Sequence, residues 1–214
     1  MESSKQLPRI NEPAPDFSAI TTQGPKKLSD YKGHWLVLFS HPADFTPVCT
    51  TEFIAFAERF TEFQKRNTDI LGVSIDSIYS HLAWVQAIKE KLNVTIPFPI
   101  IADLDMKVAG AYGMIHPGAS DTSAVRSVFI IDDKQNIRAL VYYPMSAGRN
   151  IDEILRLLDA LQTGDKHGVA CPAGWQPGDK VVVPAPKTQQ AVQERLGDSS
   201  VELKDWYLSL KKLA

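Results

Sequence analysis

Cysteine is scarce in this chain: Cys49 and Cys171 are the two among 214 residues. Two cysteines are too few for the disulfide framework that holds small secreted domains together. The sequence also lacks an apolar run long enough to cross a bilayer, and its start lacks the apolar stretch of a secretory signal. We therefore expect a cytoplasmic protein with no membrane partner, whose thiols are either small buried hydrophobes or reactive groups.

An excess of charge of one sign is missing as well. The 23 Lys and Arg against 25 Asp and Glu give a formal net charge of -2, which offers no surface typical of nucleic-acid binding. Hydrophobic residues make up 44% of the chain, enough for a full core. The length of 214 residues exceeds the usual single domain and predicts one domain plus an extension.

Short apolar runs alternate with helical patterns in the first part of the chain. Residues 35–39 and 70–75 predict buried strands, and each is followed by apolar positions three and four apart, typical of a helix. Residues 127–132 and 138–143 flank a turn and predict a β-hairpin. This order of elements predicts an α/β domain with a mixed central sheet flanked by helices.

The composition changes after Gly164, where proline and glycine become frequent. We interpret residues 1–164 as the core domain and residues 165–214 as an irregular arm that needs a partner surface. Within this arm, residues 187–195 and 201–213 fit short surface helices.

Cys49 lies where a predicted strand and loop lead into a helix. The unpaired N–H groups and the dipole at the first helical turn favour an anion there, and the thiolate is the nucleophilic form of cysteine. Thr46 stands three residues earlier, where thiol–disulfide oxidoreductases on such a turn carry a second cysteine. Its hydroxyl can hydrogen-bond the sulfur or an oxygen bound beside it. This pattern favours attack on an oxygen substrate over disulfide exchange.

Residues 42–49, Pro-Ala-Asp-Phe-Thr-Pro-Val-Cys, match the peroxiredoxin pattern Pro-x-x-x-Thr-x-x-Cys at every fixed position. The surrounding residues 39–52 resemble the one-cysteine branch of that family. Further similar stretches are 98–103, 125–132 and 148–150. The resemblance spans about residues 10–185. It implies a thioredoxin-like fold with a C-terminal arm that forms a homodimer, and it leaves undecided whether dimers assemble into a ring such as a decamer.

The resemblance also implies roles for single residues. Cys49 would attack the peroxide and become a sulfenic acid. Thr46 and the Cys49 N–H would hold the two peroxide oxygens. Pro42 would shield the sulfur from water, and Arg126 would favour the thiolate and stabilise charge on the leaving oxygen.

Arg149 and His41 are similar to further residues that line the family's pocket and support substrate binding. For Arg149, a salt bridge is an equally simple interpretation. The other histidines share no spacing, and the cysteines and histidines lack the paired-ligand spacing of a zinc site. We therefore expect neither a metal nor another cofactor, because sulfur alone can hold the two electrons exchanged with the peroxide.

Cys171 lies in residues 169–175, Val-Ala-Cys-Pro-Ala-Gly-Trp, at a place where the one-cysteine branch typically has Thr. This stretch resembles the resolving-cysteine segment of the two-cysteine branch. Since a sulfenic acid condenses with an accessible thiol, the resemblance implies a disulfide between Cys49 and Cys171 of the partner subunit, reduced by thioredoxin or a similar dithiol. The alternative is a spectator Cys171, with an external thiol such as glutathione reducing Cys49 directly.

The expected function is thiol-dependent reduction of hydrogen peroxide and small organic hydroperoxides. A thiol–disulfide exchange enzyme and a non-enzymatic redox sensor or chaperone are the competing classes, and Thr46 argues against the first.

The one-cysteine branch sometimes carries a phospholipase serine in Gly-Asp-Ser-Trp-Gly. Here residues 31–36 are Tyr-Lys-Gly-His-Trp-Leu, so we expect no lipase activity.

Overall fold

The computed structural model describes residues 7–120 and 122–213. A seven-stranded mixed sheet forms its centre. The strands are β1 (Ser18–Thr21), β2 (Gly24–Lys27), β3 (Trp35–Ser40), β4 (Thr68–Ser74), β5 (Ile100–Ala102), β6 (Arg126–Ile131) and β7 (Ile137–Tyr143). Their spatial order is β2-β1-β5-β4-β3-β6-β7, with β3, β4 and β5 parallel and the other pairs antiparallel. The predicted mixed sheet and the β6–β7 hairpin are confirmed.

Helices follow the parallel strands, as the alternating pattern predicts. They are α1 (Pro47–Glu58), α2 (Phe60–Lys65), α3 (Ile78–Leu92), α4 (Lys107–Ala111), α5 (Ile151–His167) and α6 (Gln189–Leu196), with a 3₁₀ helix at Leu28–Tyr31. The helix predicted after β3 begins earlier than its apolar pattern indicates, because Pro47 suits a first helical position, where no N–H is needed. It is also divided at Arg59 into α1 and α2.

The β3 strand anchors α1 on the sheet. All six residues of β3 are buried, as its continuous apolar run predicts for a central strand. Phe39 of β3 packs against Phe53 and Phe56 of α1, with ring centroids 5.2 and 4.3 Å apart. These aromatic contacts hold the second and third turns of α1 close to the end of β3.

The parallel strands end at one edge of the sheet, where polar residues collect. His41 follows β3, Asp76 comes two residues after β4, and Asp103 follows β5. In open α/β sheets this carboxyl edge is where functional groups usually lie. The chain leaves β3 at the same edge and runs from His41 into α1.

Contacts divide the chain into two compact units, one ending at Ile151 and the other beginning at Asp152. The second unit contains α6 and a three-stranded antiparallel sheet. Its strands are β8 (Val181–Val183), β9 (Glu202–Asp205) and β10 (Leu208–Lys211), in the order β8-β10-β9. The division predicted at residues 164/165 stays a prediction.

Two parts of the secondary structure differ from the sequence prediction. The helix predicted for residues 187–195 is confirmed by α6, but the helix predicted for 201–213 is wrong, because those residues form the β9–β10 hairpin. Apolar and polar residues alternate there with a period of two, which suits strands. The β1–β2 hairpin lies in a region where only turn residues were evident.

None of the described helices has both the length and the hydrophobicity that a bilayer-spanning segment requires.

Candidate active site

Cys49 is the third residue of α1 and is fully buried. The structure therefore places it in the first helical turn, where the sequence predicts it. The first N–H groups of a helix have no partner within the helix, and they carry the positive end of its dipole. Both effects favour a negative charge on the Cys49 sulfur.

The residues before α1 turn the chain sharply into the helix. Phe45 has a φ of 55°, in the left-handed region, and Thr46 returns to an extended conformation, as expected for a residue before proline. The Thr46 hydroxyl donates a hydrogen bond of 2.9 Å to the Ala43 carbonyl oxygen. Because its proton is used there, the hydroxyl oxygen keeps its lone pairs to accept a hydrogen bond from an O–H group.

Arg126, the first residue of β6, reaches the sulfur of Cys49. Its Nη1 lies 3.4 Å from Cys49 Sγ and donates to Glu52 Oε2 at 2.6 Å. Its Nε donates to the Met145 carbonyl oxygen at 2.9 Å, which fixes the plane of the guanidinium. Since the side chain is buried, its positive charge acts on the sulfur with little screening by water.

Glu52 is a functional residue that the sequence analysis missed. The sequence pattern indicated no role for it, yet it lies buried between two arginines. Burial acts to raise the pKa of Glu52, but the hydrogen bonds and charge of Arg149, and then the charge of Arg126, hold that pKa below its usual range. The spacing of three residues from Cys49, one turn along the same helix, was the available signal.

Arg149 binds the Glu52 carboxylate through two side-chain hydrogen bonds. Its Nε donates to Oε1 at 2.9 Å and its Nη2 donates to Oε2 at 2.6 Å, while its backbone N–H adds a bond of 2.9 Å to Oε1. The Nη1 donates to the carbonyl oxygens of Ser40 and Ser127. These contacts support the salt-bridge interpretation of Arg149, and its role in substrate binding stays a prediction.

The charges around the sulfur do not cancel unless the sulfur is ionised. Arg126 and Arg149 contribute two positive charges, and Glu52 contributes one negative charge. A buried surplus charge is costly, and a thiolate at Cys49 balances it. The cluster therefore stabilises the nucleophilic form of the cysteine.

His41, predicted to line the pocket, and Pro42, predicted to shield the sulfur from water, are buried directly after β3. His41 Nε2 hydrogen-bonds to Asp44 Oδ1 at 2.9 Å, and Asp44 in turn bonds to His81. The sequence analysis assigned no function to Asp44 or His81. Asp44 lies three residues after His41, but His81 lies 37 residues beyond Asp44, so no short sequence pattern joins the three residues.

Cys171 lies in the second unit and is half-buried. Its Sγ lies 3.6 Å from the Ala160 carbonyl oxygen, a contact in which the thiol donates. Burial raises the pKa of Cys171, although the nearby Arg156 acts in the opposite direction. Cys171 is therefore held as a protonated thiol.

Comparisons with known proteins extend over both units. The model of the AhpC/TSA family matches residues 10–140, and the model of the C-terminal domain of 1-Cys peroxiredoxin matches residues 160–198. A peroxiredoxin 2 from Caldanaerobacter subterraneus subsp. tengcongensis is 58% identical over 97% of this chain and 94% of its own length. A peroxiredoxin from Aquifex aeolicus is 56% identical over 97% of this chain and 98% of its own length.

A solved structure agrees with these sequence matches. The yeast mitochondrial 1-Cys peroxiredoxin has a TM-score of 0.85 and 42% identity, over 97% of this chain and 100% of its own. Its thiol is described as resolved through glutathione/thioredoxin systems. The similarity therefore covers the fold as well as the sequence around Cys49.

Proposed function

Since the chain belongs to the AhpC/TSA family of peroxiredoxins and is a thiol-dependent peroxidase, we propose that Cys49 is the residue that reduces its peroxide. The Cys49 thiolate attacks one peroxide oxygen, so that an S–O bond forms as the O–O bond breaks. The sulfur loses two electrons and becomes a sulfenic acid, and the other oxygen takes up the proton that the thiol released on ionising and leaves as water or an alcohol. The reaction needs no metal, haem or flavin in this scheme, because the sulfur itself supplies both electrons.

The observation that carries this proposal is the position of Cys49 Sγ, 3.4 Å from a buried guanidinium at the start of a helix. Arg126 stabilises the attacking thiolate and then the negative charge that develops on the leaving oxygen. Thr46 accepts the peroxide O–H at the oxygen left available by its bond to Ala43. Pro42 covers the sulfur and limits its contact with water.

Peroxide consumption by the Cys49→Ser variant tests this assignment. With a dithiol reductant present, the variant should lose consumption above background, while Cys171→Ser should retain the first turnover. Each variant replaces one cysteine by serine. A loss confined to Cys49→Ser is therefore due to that cysteine and not to the removal of just any thiol. Equal consumption by wild type and Cys49→Ser would contradict the proposal.

We further propose that the sulfenic acid at Cys49 is resolved by Cys171 of the partner subunit. The Cys171 thiol attacks the Cys49 sulfur, an S–S bond forms, and the hydroxyl leaves with the thiol proton as water. A dithiol of the thioredoxin kind then reduces the disulfide. This scheme needs a homodimer, whose further assembly into a ring such as a decamer is not required.

Because the cycle depends on a continuous supply of reducing thiols, the cytoplasm is the compartment proposed.

The competing scheme is direct reduction of Cys49 by an external thiol such as glutathione. The match of residues 160–198 to the 1-Cys C-terminal domain and the description of the yeast relative favour it. Non-reducing electrophoresis after one equivalent of peroxide distinguishes the two. A covalent dimer in wild type that disappears in Cys171→Ser supports resolution by Cys171. A dimer that survives the substitution contradicts it, and no dimer in wild type supports the external thiol.

A further inference from the structure

Two histidines and a carboxylate form a buried cluster under the loop that leads from β3 to Cys49. His41 and His81 are fully buried, and Asp44 is almost so. Asp44 Oδ1 lies 2.9 Å from His41 Nε2, and Asp44 Oδ2 lies 2.8 Å from His81 Nδ1. Two other rings pack on His41, Phe53 at 4.8 Å and Trp84 at 5.2 Å between centroids.

Both ring nitrogens of His81 face hydrogen-bond acceptors. The Nδ1 faces the Asp44 carboxylate, and the Nε2 lies 3.0 Å from the backbone carbonyl oxygen of Ile101. A carbonyl oxygen can only accept, so Nε2 must carry a hydrogen, and an ionised carboxylate requires the same of Nδ1. A histidine that donates from both nitrogens is an imidazolium, here paired with Asp44.

Asp44 is held as an ion by its two partners. Burial acts to raise its pKa, but the hydrogen bonds from His41 and His81 outweigh burial and hold the pKa well below its usual range. Since Asp44 accepts from His41 Nε2, the hydrogen of His41 lies on Nε2. Burial lowers the pKa of His41 despite this bond, so the ring is neutral and its Nδ1 carries a lone pair. Among the described buried side-chain atoms, that Nδ1 is one of two without a hydrogen-bond partner.

The same cluster fixes the backbone of the loop. The Asp44 N–H donates to Asp76 Oδ2 at 3.1 Å, and Ser74 Oγ donates to that oxygen at 2.6 Å. Ala43, next to Asp44, provides the carbonyl oxygen that accepts from the Thr46 hydroxyl. A shift of Asp44 would therefore move the group that orients Thr46.

The cluster is a poor metal site although its ligand atoms lie close together. The nitrogens of His41 and His81 that face Asp44 both carry hydrogens, and the remaining nitrogen of His81 donates to Ile101. A metal would have to displace these hydrogens and break the bonds to Asp44. The arrangement instead suits a structural ion pair that orients a neighbour.

We propose that His81 is a positioning residue of the peroxidase: as a buried imidazolium it anchors Asp44, and Asp44 sets the hydrogen of His41 on Nε2 and the position of the Thr46 hydroxyl. The inference rests on the proposed roles of Cys49 and Thr46 for its effect on the reaction. The protonation pattern itself does not depend on them. It follows from the acceptors around each ring.

Nitrogen NMR of the wild-type protein with ¹⁵N-labelled histidine rings tests the protonation pattern near neutral pH. His81 should give two protonated ring nitrogens, and His41 should give one protonated Nε2 and one unprotonated Nδ1. His81→Gln and His41→Gln serve to assign the signals. An unprotonated ring nitrogen on His81 would overturn the proposal, whether or not the protein reduces peroxide.

The kinetic test compares two reactions of the same sulfur. In His81→Gln, the second-order rate constant for Cys49 with hydrogen peroxide should fall at least tenfold, while alkylation of Cys49 by iodoacetamide should change less than twofold. Thr46 assists only the peroxide, which explains the difference. His34→Gln is the matched control, since His34 also pairs with an aspartate, Asp69, but is half-exposed.

Three outcomes of this comparison count against the proposal: equal loss of both reactions, no loss of either, or loss of alkylation alone. Equal loss would indicate a general disturbance of the site. A wild-type protein that does not react with peroxide would refute the proposed function instead, and the NMR result would still decide the protonation of His81.

Discussion

Glu52 carries a negative charge although burial alone would favour its neutral, protonated form. Arg149 holds both of its oxygens, and Arg126 bonds one of them while reaching the Cys49 sulfur. The carboxylate thus sets the position of the guanidinium that contacts the nucleophile. A chain of three charges, those of Arg149, Glu52 and Arg126, thus ends at the sulfur.

Glu52→Gln should slow the reaction of Cys49 with peroxide at least about tenfold, equivalent to about 1.4 kcal/mol in the barrier. It should also lower the free energy of unfolding by about 3 kcal/mol, because two buried guanidinium groups lose their counterion. Stopped-flow kinetics and urea unfolding measure the two effects. Glu58→Gln, at an exposed position of the same helix, should change neither. A Glu52→Gln protein with wild-type rate would exclude Glu52 from positioning Arg126.

The Pro-x-x-x-Thr-x-x-Cys pattern predicted Cys49, Thr46 and Pro42 because these residues are adjacent in sequence. Glu52 and Asp44 lie in or beside the same stretch, but their partners do not. Arg149 lies 97 residues from Glu52. A sequence shows the carboxylates but not the tertiary contacts that bury them.

His41 should make the stability of the protein depend on pH. Burial lowers the pKa of His41 in the folded state below the usual value of about 6.5. Just below that pH, His41 is protonated in the unfolded state but stays neutral in the folded state. The free energy of unfolding should therefore fall with decreasing pH, by at most about 1.4 kcal/mol per pH unit from this group, until the folded pKa is reached. Urea unfolding at about pH 7.5 and about pH 5.5 measures the slope. His41→Gln should reduce it and His34→Gln should not; an unchanged slope in His41→Gln would contradict the assignment.

The loop between β3 and α1 has a strained backbone at Phe45. Its φ of 55° is costly for a bulky residue, by about 1–2 kcal/mol, and its side chain is 59% exposed, so packing recovers little. This strain lies one residue before Thr46. Such strain is typical of functional loops, whose backbone shape is kept although the residue at that position disfavours it.

Phe45→Asn should raise the free energy of unfolding by about 1 kcal/mol, because asparagine tolerates the left-handed region. Urea unfolding measures the gain. Tyr79→Asn is the control: Tyr79 is 80% exposed but lies in α3, where no strain is relieved, and no gain is expected. If both variants gain stability equally, loss of exposed aromatic surface is the cause and the strain argument fails.

The β3, β4 and β6 strands could be predicted from sequence because they are central and apolar on both faces. The β9–β10 hairpin could not, since its short alternating segments also fit a surface helix. Trp206 and Tyr207 form its turn, and a hydrogen bond from the Trp206 N–H to Asp205 Oδ1 fixes the bend. The antiparallel pairing of β10 with β8 and β9, which the sequence does not show, favours the strands.

The two units of the molecule place their cysteines in different surroundings. Cys49 is buried in a positively charged cluster, whereas Cys171 donates to a backbone carbonyl group in the second unit. This difference suits two successive steps, in which a thiolate meets the peroxide and a second thiol acts later. The predicted arm, residues 165–214, contains the second cysteine and more regular structure than its composition indicates.

The arm should gain protection from a second copy of the chain. From residue 182 to residue 208 no described residue is buried, while every residue of β3 is. The exposed apolar side chains of the hairpin are Leu203, Trp206, Tyr207 and Leu208. An exposed apolar patch of this kind is typical of an interface.

Hydrogen–deuterium exchange of the full chain at two protein concentrations, about 1 µM and about 100 µM, measures this protection. Amides of β9 and β10 should exchange faster than those of β3 at the low concentration, because their local opening exposes little apolar surface. At the high concentration their exchange should slow at least tenfold, since association covers them, while β3 amides change less. The Trp206→Ser variant should reduce this concentration dependence, and Tyr79→Ser, at an exposed aromatic residue of α3, is the matched control. Exchange in the hairpin that is equal at both concentrations and faster than in β3 would contradict association through this surface.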